Sequence, residues 1–345
     1  NNLHEDKFGD LVSDKDIFLV NLLTDGLHQN LGIKDYLIAT KKLASIEKVR
    51  ILDDYLSIKD ILASFLYSVV LIFKFRPILS KRYNLQNIDL TESIKKELYF
   101  SLIRLPRLLM WLNPLNKFFN SISVKKIYYY LHEYPYGRMI TFFLNSLSPK
   151  TKSVGFQHGP ASLRKLLYMA ASNELSISAN GINSFPLPNM VLAEDEFSKN
   201  IYLSAGYKNV HIMNKIYRLD YLKQVDRCVS LKDISLIAPG LHDGEFLMMS
   251  LHDQIKNNHK INYILKPHPR ANNKYVDKYR YLNNLTVSNA SIIEVLSKVD
   301  KVYATYSSVG IEANFLGIDV EIIEIPGKIN ESPLIDKEFL HKPSF

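Results

Sequence analysis

Two segments determine the fold expected of this chain: INYILKPHPR (261–270) and KVYATYSSVGIEANFLGIDVEIIEIP (301–326). The first has the pattern of a buried strand followed by a cationic, proline-rich loop. The second has the pattern of a strand, a turn that carries Ser307 and Ser308, a short helix and a further apolar strand. In an open parallel sheet, ligands bind at the carboxyl ends of strands, where loops and helix N-termini offer backbone N–H groups. These two strand ends therefore predict a site for a nucleotide phosphate.

Composition limits the class of protein. The chain has 345 residues, of which 47% are hydrophobic, and this is enough for two domains with real cores. A single cysteine, Cys228, excludes an internal disulfide framework and a Cys-based zinc site, and it is typical of a reducing cytoplasm. The net charge of +8 indicates an anionic partner. No nucleic-acid-binding motif is present, so nucleic acid is not predicted as that partner.

Membrane association is expected to be peripheral. The first residues are polar, which predicts that there is no signal peptide, and the apolar run 61–73 is shorter than a bilayer crossing requires. In the segment 73–120, basic residues alternate with large apolar ones. This pattern is typical of a surface that lies on anionic lipid, and equally of core helices whose charges face water.

Strands and helices alternate along most of the chain. Short apolar runs such as 126–131, 190–193, 234–238 and 285–287 predict strands, with helical spacing between many of them. Repeated alternation of this kind predicts parallel sheets that are covered on both faces. We therefore expect an α/β protein with two Rossmann-like domains, residues 1–218 and 219–345, that face each other across a cleft.

Two polar residues after strands of the first domain are candidates for acid–base chemistry. Glu133 follows the strand 126–131, and His158 lies beside a glycine after the strand 153–156. A carboxylate at such a strand end is well placed to be a general base, and His158 is a candidate for binding substrate or for proton transfer. Alternatively, Glu133 caps the next helix or pairs with a nearby arginine, and His158 is a buried structural histidine.

With these residues together, the chain resembles the GT-B glycosyltransferases. The run SSVGIEANFLGIDVEIIEIP is similar to their nucleotide-binding segment, and the resemblance implies that Glu312 contacts the donor ribose. KPHP (266–269) with the serine pair is similar to the HP and SS/ST motifs of bacterial sialyltransferases, polysialyltransferases and Kdo transferases, which use CMP-activated acid sugars. The acidic base of those enzymes lies in a motif whose nearest counterparts here are HEYPYG (132–137) and TDG (24–26).

The same elements allow other functions. KPHP and the YSS tripeptide also resemble the CDP-glycerol and CDP-ribitol phosphotransferases of teichoic-acid synthesis, and QHG (157–159) is similar to their His-Gly motif. A GT-B transferase with another nucleotide sugar, a nucleotide-sugar epimerase and a non-enzymatic GT-B binding protein are the remaining alternatives. The expected location is the bacterial cytoplasm, with the protein either soluble or peripheral on the inner face of the membrane, and the expected acceptor is a glycan or is lipid-linked.

The leading prediction is a metal-independent glycosyltransferase that takes an acid sugar from a CMP-sugar. CMP leaves as a phosphate monoester, so no diphosphate has to be held by a metal ion, and no cofactor is expected. The predicted catalytic residues are Glu133, His158 and His268. The predicted donor-binding residues lie on three loops and one helix of the second domain: Gly240, Gly244, Lys266, Pro269, Arg270, Thr305, Ser307, Ser308 and Glu312.

Overall fold

The protein was analysed as a computed structural model, which describes residues 19–21, 33–46, 49–85, 88–131, 135–157, 159–175, 185–214, 217–226 and 233–335. The chain divides into two compact units. One consists of residues 8–155 and 176–189, and the other of residues 1–7, 156–175 and 190–345.

The strands within the described ranges are β1 (Leu19–Asn21), β2 (Val49–Ile51), β3 (Asn84–Leu85), β4 (Ile88–Asp89), β5 (Lys126–Tyr130), β6 (Lys152–Phe156), β7 (Met190–Ala193), β8 (Val210–Ile212), β9 (Ile234–Ala238), β10 (Asn262–Leu265), β11 (Leu285–Val287), β12 (Lys301–Ala304) and β13 (Asp319–Ile322). The α-helices are α1 (Ile33–Ala44), α2 (Ile58–Leu79), α3 (Thr91–Leu109), α4 (Leu112–Ser121), α5 (Pro135–Leu147), α6 (Glu196–Ser204), α7 (Tyr217–Asp220), α8 (Gly244–Asn257), α9 (Ile292–Leu296) and α10 (Ser308–Phe315).

Several helices begin where a short polar side chain caps the first turn. Ser57, Asp195, Ser291 and Ser307 each accept a hydrogen bond from a backbone N–H of the helix that follows. Such caps satisfy donors that have no partner within the helix, and each typically stabilises the protein by about 1 kcal/mol. The capping residue next to each of these helices therefore determines where the helix begins.

The C-terminal sheet is a five-stranded parallel sheet with the order β11-β10-β9-β12-β13. Alternate residues of its central strands enter different cores: Leu236 and Val302 join one apolar cluster, and Ile237 and Tyr303 join the other. Successive side chains of a strand point to opposite faces, so the sheet is buried on both sides. This doubly wound arrangement confirms the predicted α/β class.

The remaining strands form smaller sheets. β5, β6, β7 and β8 are neighbours in that order, β1 pairs in parallel with β2, and β3 with β4 is an antiparallel hairpin. The segment 217–226 is mostly polar in sequence, but Leu219 and Leu222 within it lie in the core of the C-terminal sheet, because a three-residue spacing places both on one side of a helical turn. The predicted domain boundary at residue 218 stays a prediction.

Helix α2 corrects one expectation about membranes. The apolar run 61–73 was judged too short to cross a bilayer, but the helix continues through Lys74, Arg76 and Pro77 to Leu79 and has 22 residues. Within the described residues it is the one helix whose length and composition suffice for a crossing. Only 11% of its most apolar 18-residue window is buried.

Candidate functional site

The candidate site is the crevice where the strand order of the C-terminal sheet reverses. The chain moves outward from β9 to β10 and β11, then returns to the other side of β9 with β12. At such a switch point the loops that follow the two central strands diverge and leave room for a ligand. Here those loops are residues 239–243 and 305–307, and the KPHP loop follows the adjacent strand β10.

The two central loops are joined by a buried hydrogen bond. The Thr305 hydroxyl donates to the Asp243 carboxylate, and both residues are inaccessible to solvent or nearly so. The Asn330 side-chain amide donates to the Thr305 carbonyl at 3.3 Å. Thr305, predicted to contact the donor, is therefore engaged within the protein on both its side chain and its backbone, where it fixes the turn that precedes Ser307.

The N-terminus of α10 is the better anion site of the two helix N-termini at the crevice. Ser307 caps this helix through a 3.4 Å bond from the Val309 N–H, Ser308 is exposed, and the first turn has no acidic residue. Helix α8 instead begins with Asp243 and Glu245. The positive end of a helix dipole attracts a phosphate, but two carboxylates at the same point oppose it.

His268 is held in one tautomer by its own loop. Its Nδ1 accepts the backbone N–H of Arg270 at 3.2 Å, so the neutral ring carries its proton on Nε2. Burial and the Arg270 charge lower the pKa of His268 below its usual 6.5, although Asp243 opposes this shift. At neutral pH the half-buried side chain is thus an uncharged hydrogen-bond donor.

The other predicted donor-binding residues of the KPHP loop differ in exposure. The Lys266 ammonium donates to the Ala290 carbonyl and fastens the KPHP loop to the segment between β11 and α9. Pro269 and Arg270 are exposed. Lys266 retains two further N–H donors, so its predicted contact with the donor stays a prediction, as do those of Pro269 and Arg270.

Close packing explains why positions 240 and 244 are glycines. A Cβ at Gly244 would lie 2.4 Å from the Tyr275 ring, and one at Gly240 would lie 2.9 Å from Asp243 Oδ1 and 3.1 Å from Tyr306. Burial and the Asp243 carboxylate raise the pKa of Tyr275 to about 12. Both glycines thus permit close packing around Asp243, and their predicted contact with phosphate stays a prediction.

Of three further predicted site residues, the structure describes Glu312 but not the other two. Glu312 lies half-buried on α10, one turn after Ser308, and its contact with a ribose stays a prediction. Glu133 and His158 lie outside the described residues.

Gln157, the first residue of the QHG segment, makes several hydrogen bonds. The buried Gln157 donates to the Gly159 carbonyl at 3.0 Å and to Ser198 Oγ at 3.1 Å, and it accepts the Glu194 N–H at 2.9 Å. Gly159 has a φ of 79°, a left-handed conformation that favours glycine. The hydrogen bonds of Gln157 and the left-handed conformation of Gly159 therefore explain the first and third residues of the QHG segment.

Asp243 was missed by the sequence interpretation, although its loop had been singled out. The available signal was an aspartate directly before a glycine at the start of a helix. That pattern suggests a helix cap, but Asp243 makes no capping bond and binds Thr305 instead. Asn330 was missed because it lies after the last predicted strand.

Comparisons with known proteins add the following. No protein-family model matches the chain, and no curated protein matches it in sequence. Solved structures that resemble it include UDP-N-acetylglucosamine 2-epimerase from Rickettsia bellii (TM-score 0.43, 9% identity, 66% of this chain and 68% of that chain), Arabidopsis thaliana UGT89C1 (0.44, 12%, 70% and 63%), and the wall teichoic acid polymerase TagF (0.29, 15%, 57% and 60%). None of these similarities assigns an activity or a substrate to this chain.

Proposed function

We propose that this protein is a GT-B glycosyltransferase whose C-terminal domain (219–345) holds a nucleotide sugar and whose N-terminal domain (1–218) holds the acceptor. The observation that carries the proposal is the arrangement of one sheet edge. An uncharged histidine donor, His268, follows β10, and an acid-free helix N-terminus at Ser307 follows β12, on either side of the central strand β9.

The proposed chemistry uses these groups for the leaving phosphate. The acceptor hydroxyl attacks the anomeric carbon, the bond from that carbon to the phosphate oxygen breaks, and the electron pair leaves with the nucleotide. Charge that develops on the phosphate is met by His268 Nε2–H, the Ser307 and Ser308 hydroxyls and the first N–H groups of α10. Preorganised donors of this kind need no reorientation during the reaction.

The acceptor proton requires a base. We assign it to Glu133 or His158, each of which follows a strand of the N-terminal domain in the sequence. Either residue type accepts a proton near neutral pH when its surroundings adjust its pKa. The proton that leaves the acceptor hydroxyl therefore ends on the enzyme and passes later to solvent.

For the donor, we favour a CMP-activated nonulosonic acid such as sialic acid or Kdo. The motif pair KPHP and Ser307-Ser308 supports this choice, and a monoester leaving group suits a site of hydrogen-bond donors without a metal ion. The acceptor would be a bacterial surface glycan or glycolipid, elongated at the inner face of the cytoplasmic membrane. The basic and apolar segment 73–120 supports that membrane partner.

The second candidate is a CDP-polyol phosphotransferase, favoured by the QHG segment (157–159), in which Gln157 donates to the Gly159 carbonyl and Gly159 has a left-handed conformation. Such an enzyme also releases CMP, but the phosphate next to the polyol is transferred to the acceptor. Phosphate analysis of the product distinguishes the two: the glycosyltransferase product gains a sugar without phosphorus, and the phosphotransferase product gains one phosphate per transfer.

A thermal-shift experiment tests the donor site first. The purified protein is heated with CMP, CDP, UDP, GDP or ADP, each with and without EDTA. A ligand at 100 times its Kd stabilises the native state by about 2.7 kcal/mol, which a thermal shift detects. A shift with CMP that survives EDTA supports the proposal. A shift with UDP or GDP alone would show that the donor is wrong, and no shift with any nucleotide would contradict the site.

Matched serine variants localise the effect. Ser307→Ala/Ser308→Ala removes two hydroxyls at the α10 N-terminus, whereas Ser250→Ala removes an exposed hydroxyl of α8 far along that helix. We expect the CMP-induced shift to fall in the first variant only. Equal shifts in both variants would place the nucleotide elsewhere.

A further inference from the structure

Helix α2 buries polar side chains and exposes apolar ones, which is the reverse of a helix in a water-soluble domain. The side chains that it buries are polar and lie four residues apart: Asp60, Ser64 and Ser68. A soluble helix buries an apolar stripe and exposes its polar residues. The exposed side chains of α2 include ten large apolar ones, from 38% to 76% exposed: Ile58, Leu62, Phe65, Leu66, Tyr67, Val69, Val70, Ile72, Phe73 and Phe75.

The orientation of α2 is fixed by the hydrogen bonds of its polar face. Asp60 accepts from Asn113 at 2.5 Å and from Lys117 at 3.1 Å, which ties the start of α2 to α4. Ser64 and Ser68 each donate to a carbonyl one turn earlier in α2, at 2.7 Å. Rotating the helix to bury its apolar side would break the Asp60 bonds and expose a helix face that has no charge along most of its length.

The charges next to the exposed apolar side of α2 favour a bilayer with anionic headgroups as the partner of that side. From residue 61 to residue 88 the sequence contains no acidic residue, while Lys74 and Arg76 lie near the end of α2 and Lys81 and Arg82 come directly after it. Long basic side chains at the border of an apolar surface reach the headgroup region and bind anionic lipid. An apolar surface of this size, bordered by one sign of charge, is typical of membrane contact.

Helix α3 determines how α2 meets the bilayer. It packs along α2 and exposes Tyr99, Phe100 and Ile103. Its sequence also carries charges along its length: Glu92, Lys95, Lys96, Glu97, Arg104 and Arg107. If α2 crossed the bilayer, these charges would be drawn into the hydrocarbon, where each is costly.

We propose that α2 lies in the plane of an anionic membrane surface, with its apolar residues inserted among the lipid chains and its serine face on the protein. This inference does not rest on the proposed donor site. In this arrangement the apolar contact with the lipid chains lies mostly before the segment 73–120. The first basic residues of that segment then bind the lipid headgroups. It also places the protein at a surface where a lipid-linked acceptor is available.

Vesicle binding tests the proposal. The full chain is mixed with vesicles of phosphatidylcholine alone or with phosphatidylglycerol added, and bound protein is separated by flotation. We expect binding to the anionic vesicles that weakens as salt is raised. Leu66→Glu/Phe73→Glu should reduce the affinity more than about tenfold, since each large apolar side chain buried in lipid contributes that much or more. Absence of binding to anionic vesicles at low salt would overturn the proposal.

Controls separate the membrane from other partners. Leu203→Glu/Met249→Glu removes two other exposed apolar side chains, from α6 and α8, and we expect it to bind as the unchanged protein does. The melting temperatures of both double variants should match that of the unchanged protein. If Leu66→Glu/Phe73→Glu does not fold, Val70→Glu replaces it. Equal binding by the α2 and control variants would overturn the proposal.

Two further measurements test the arrangement. Sedimentation without lipid should show the same oligomeric state for the unchanged protein and the α2 variant; a dimer that the variant abolishes would assign the surface to a second copy instead. Extraction of vesicle-bound protein at high pH should release it. Protein that resists extraction would overturn the in-plane placement in favour of a crossing.

Discussion

The Thr305 hydroxyl donates its hydrogen to the buried carboxylate of Asp243, and this bond joins the two loops that border the crevice of the C-terminal sheet. The other carboxylate oxygen of Asp243 is buried without a hydrogen-bond partner among the described residues. Burial of a charged group is costly unless it is hydrogen-bonded, so the Thr305 hydroxyl has an unusually large effect on this site.

Removing that hydroxyl should destabilise the protein. We expect Thr305→Val to lower the free energy of unfolding by about 1.5–3 kcal/mol, the range for hydrogen bonds to charged groups. Urea denaturation measures this change. Thr305→Ser keeps the donor and should lose less than Thr305→Val. Equal losses in the two variants would mean that the Thr305 methyl group, and not its hydroxyl, supports the turn.

Gly244 is expected to tolerate no side chain. Gly244→Ala places a Cβ 2.4 Å from the Tyr275 ring, and overpacking of this kind costs roughly 1–3 kcal/mol. Combining it with Tyr275→Ala should cost less than the sum of the two single changes, because the ring that obstructs the Cβ is gone. Gly310→Ala, where the nearest atom is a flexible Leu334 methyl at 3.3 Å, is the matched control in thermal unfolding.

The roles of the two ring nitrogens of His268 can be tested separately. Glutamine offers an N–H near the position of Nε2, and asparagine offers an acceptor near the position of Nδ1. If the Nε2–H stabilises the leaving phosphate, His268→Asn should reduce turnover about 10²–10⁴-fold, while His268→Gln retains more activity. The opposite order would mean that His268 only shapes the turn through its bond to Arg270.

The pKa of His268 adds a pH dependence to this prediction. Because burial and Arg270 hold that pKa below 6.5, the ring is neutral at pH 7 and above, and it gains a proton only in more acidic solution. The protonated Nδ1 no longer accepts the Arg270 N–H. Turnover that depends on His268 should therefore be constant from pH 8 to pH 7, measured against His268→Gln. A change between these pH values that is lost in the variant would contradict the neutral ring.

Asp60 should make stability depend on acid pH. Burial alone would raise its pKa, but hydrogen bonds from Asn113, Ser57 and Lys117 outweigh it and lower the pKa below the usual 3.8. A carboxyl with a lowered pKa in the folded state stabilises above its unfolded pKa and loses this contribution as pH falls. The urea midpoint should thus decrease below about pH 4. In Asp60→Asn this decrease should be smaller, and an identical pH profile would contradict the assignment.

Glu133 and His158 can be distinguished as bases by a pair of variants. Glu133→Gln and His158→Gln each remove one proton acceptor with little change in size. The variant of the true base should lose transfer by about 10²–10⁴-fold and keep CMP binding in the thermal-shift assay. If Glu133→Gln loses binding and melts early, Glu133 caps a helix instead.

The strands of the C-terminal sheet were predictable because their signals are local. The apolar runs at 234–238 and 285–287 are bounded by turn residues, and the strands begin and end at those residues. The length of α2 was underestimated because Lys74 and Arg76 interrupt its apolar run. Charged residues end a hydrophobic pattern but not a helix, since lysine and arginine have good helix propensity.

The internal contacts of the site were not predictable from the sequence. Asp243 and Thr305 are 62 positions apart, and nothing near either residue indicates the other. The serines of α2 also appeared to be interruptions of an apolar pattern. The burial of Ser64 and Ser68, and the bonds from Asn113 and Lys117 to Asp60, show that the polar side of the helix faces the protein.

The strand order of the C-terminal sheet also sets the time at which a newly made chain acquires its crevice. β10 follows β9 in the chain after one helix, but the second neighbour of β9, β12, is made only after β11 and α9 as well. Closing a loop of this length has an entropic cost that is recovered only when β9 and β12 pair. A chain that stops before Lys301 therefore lacks β12, the Thr305 partner of Asp243 and the turn at Ser307. The candidate site is thus completed only by the last part of the domain to be synthesised.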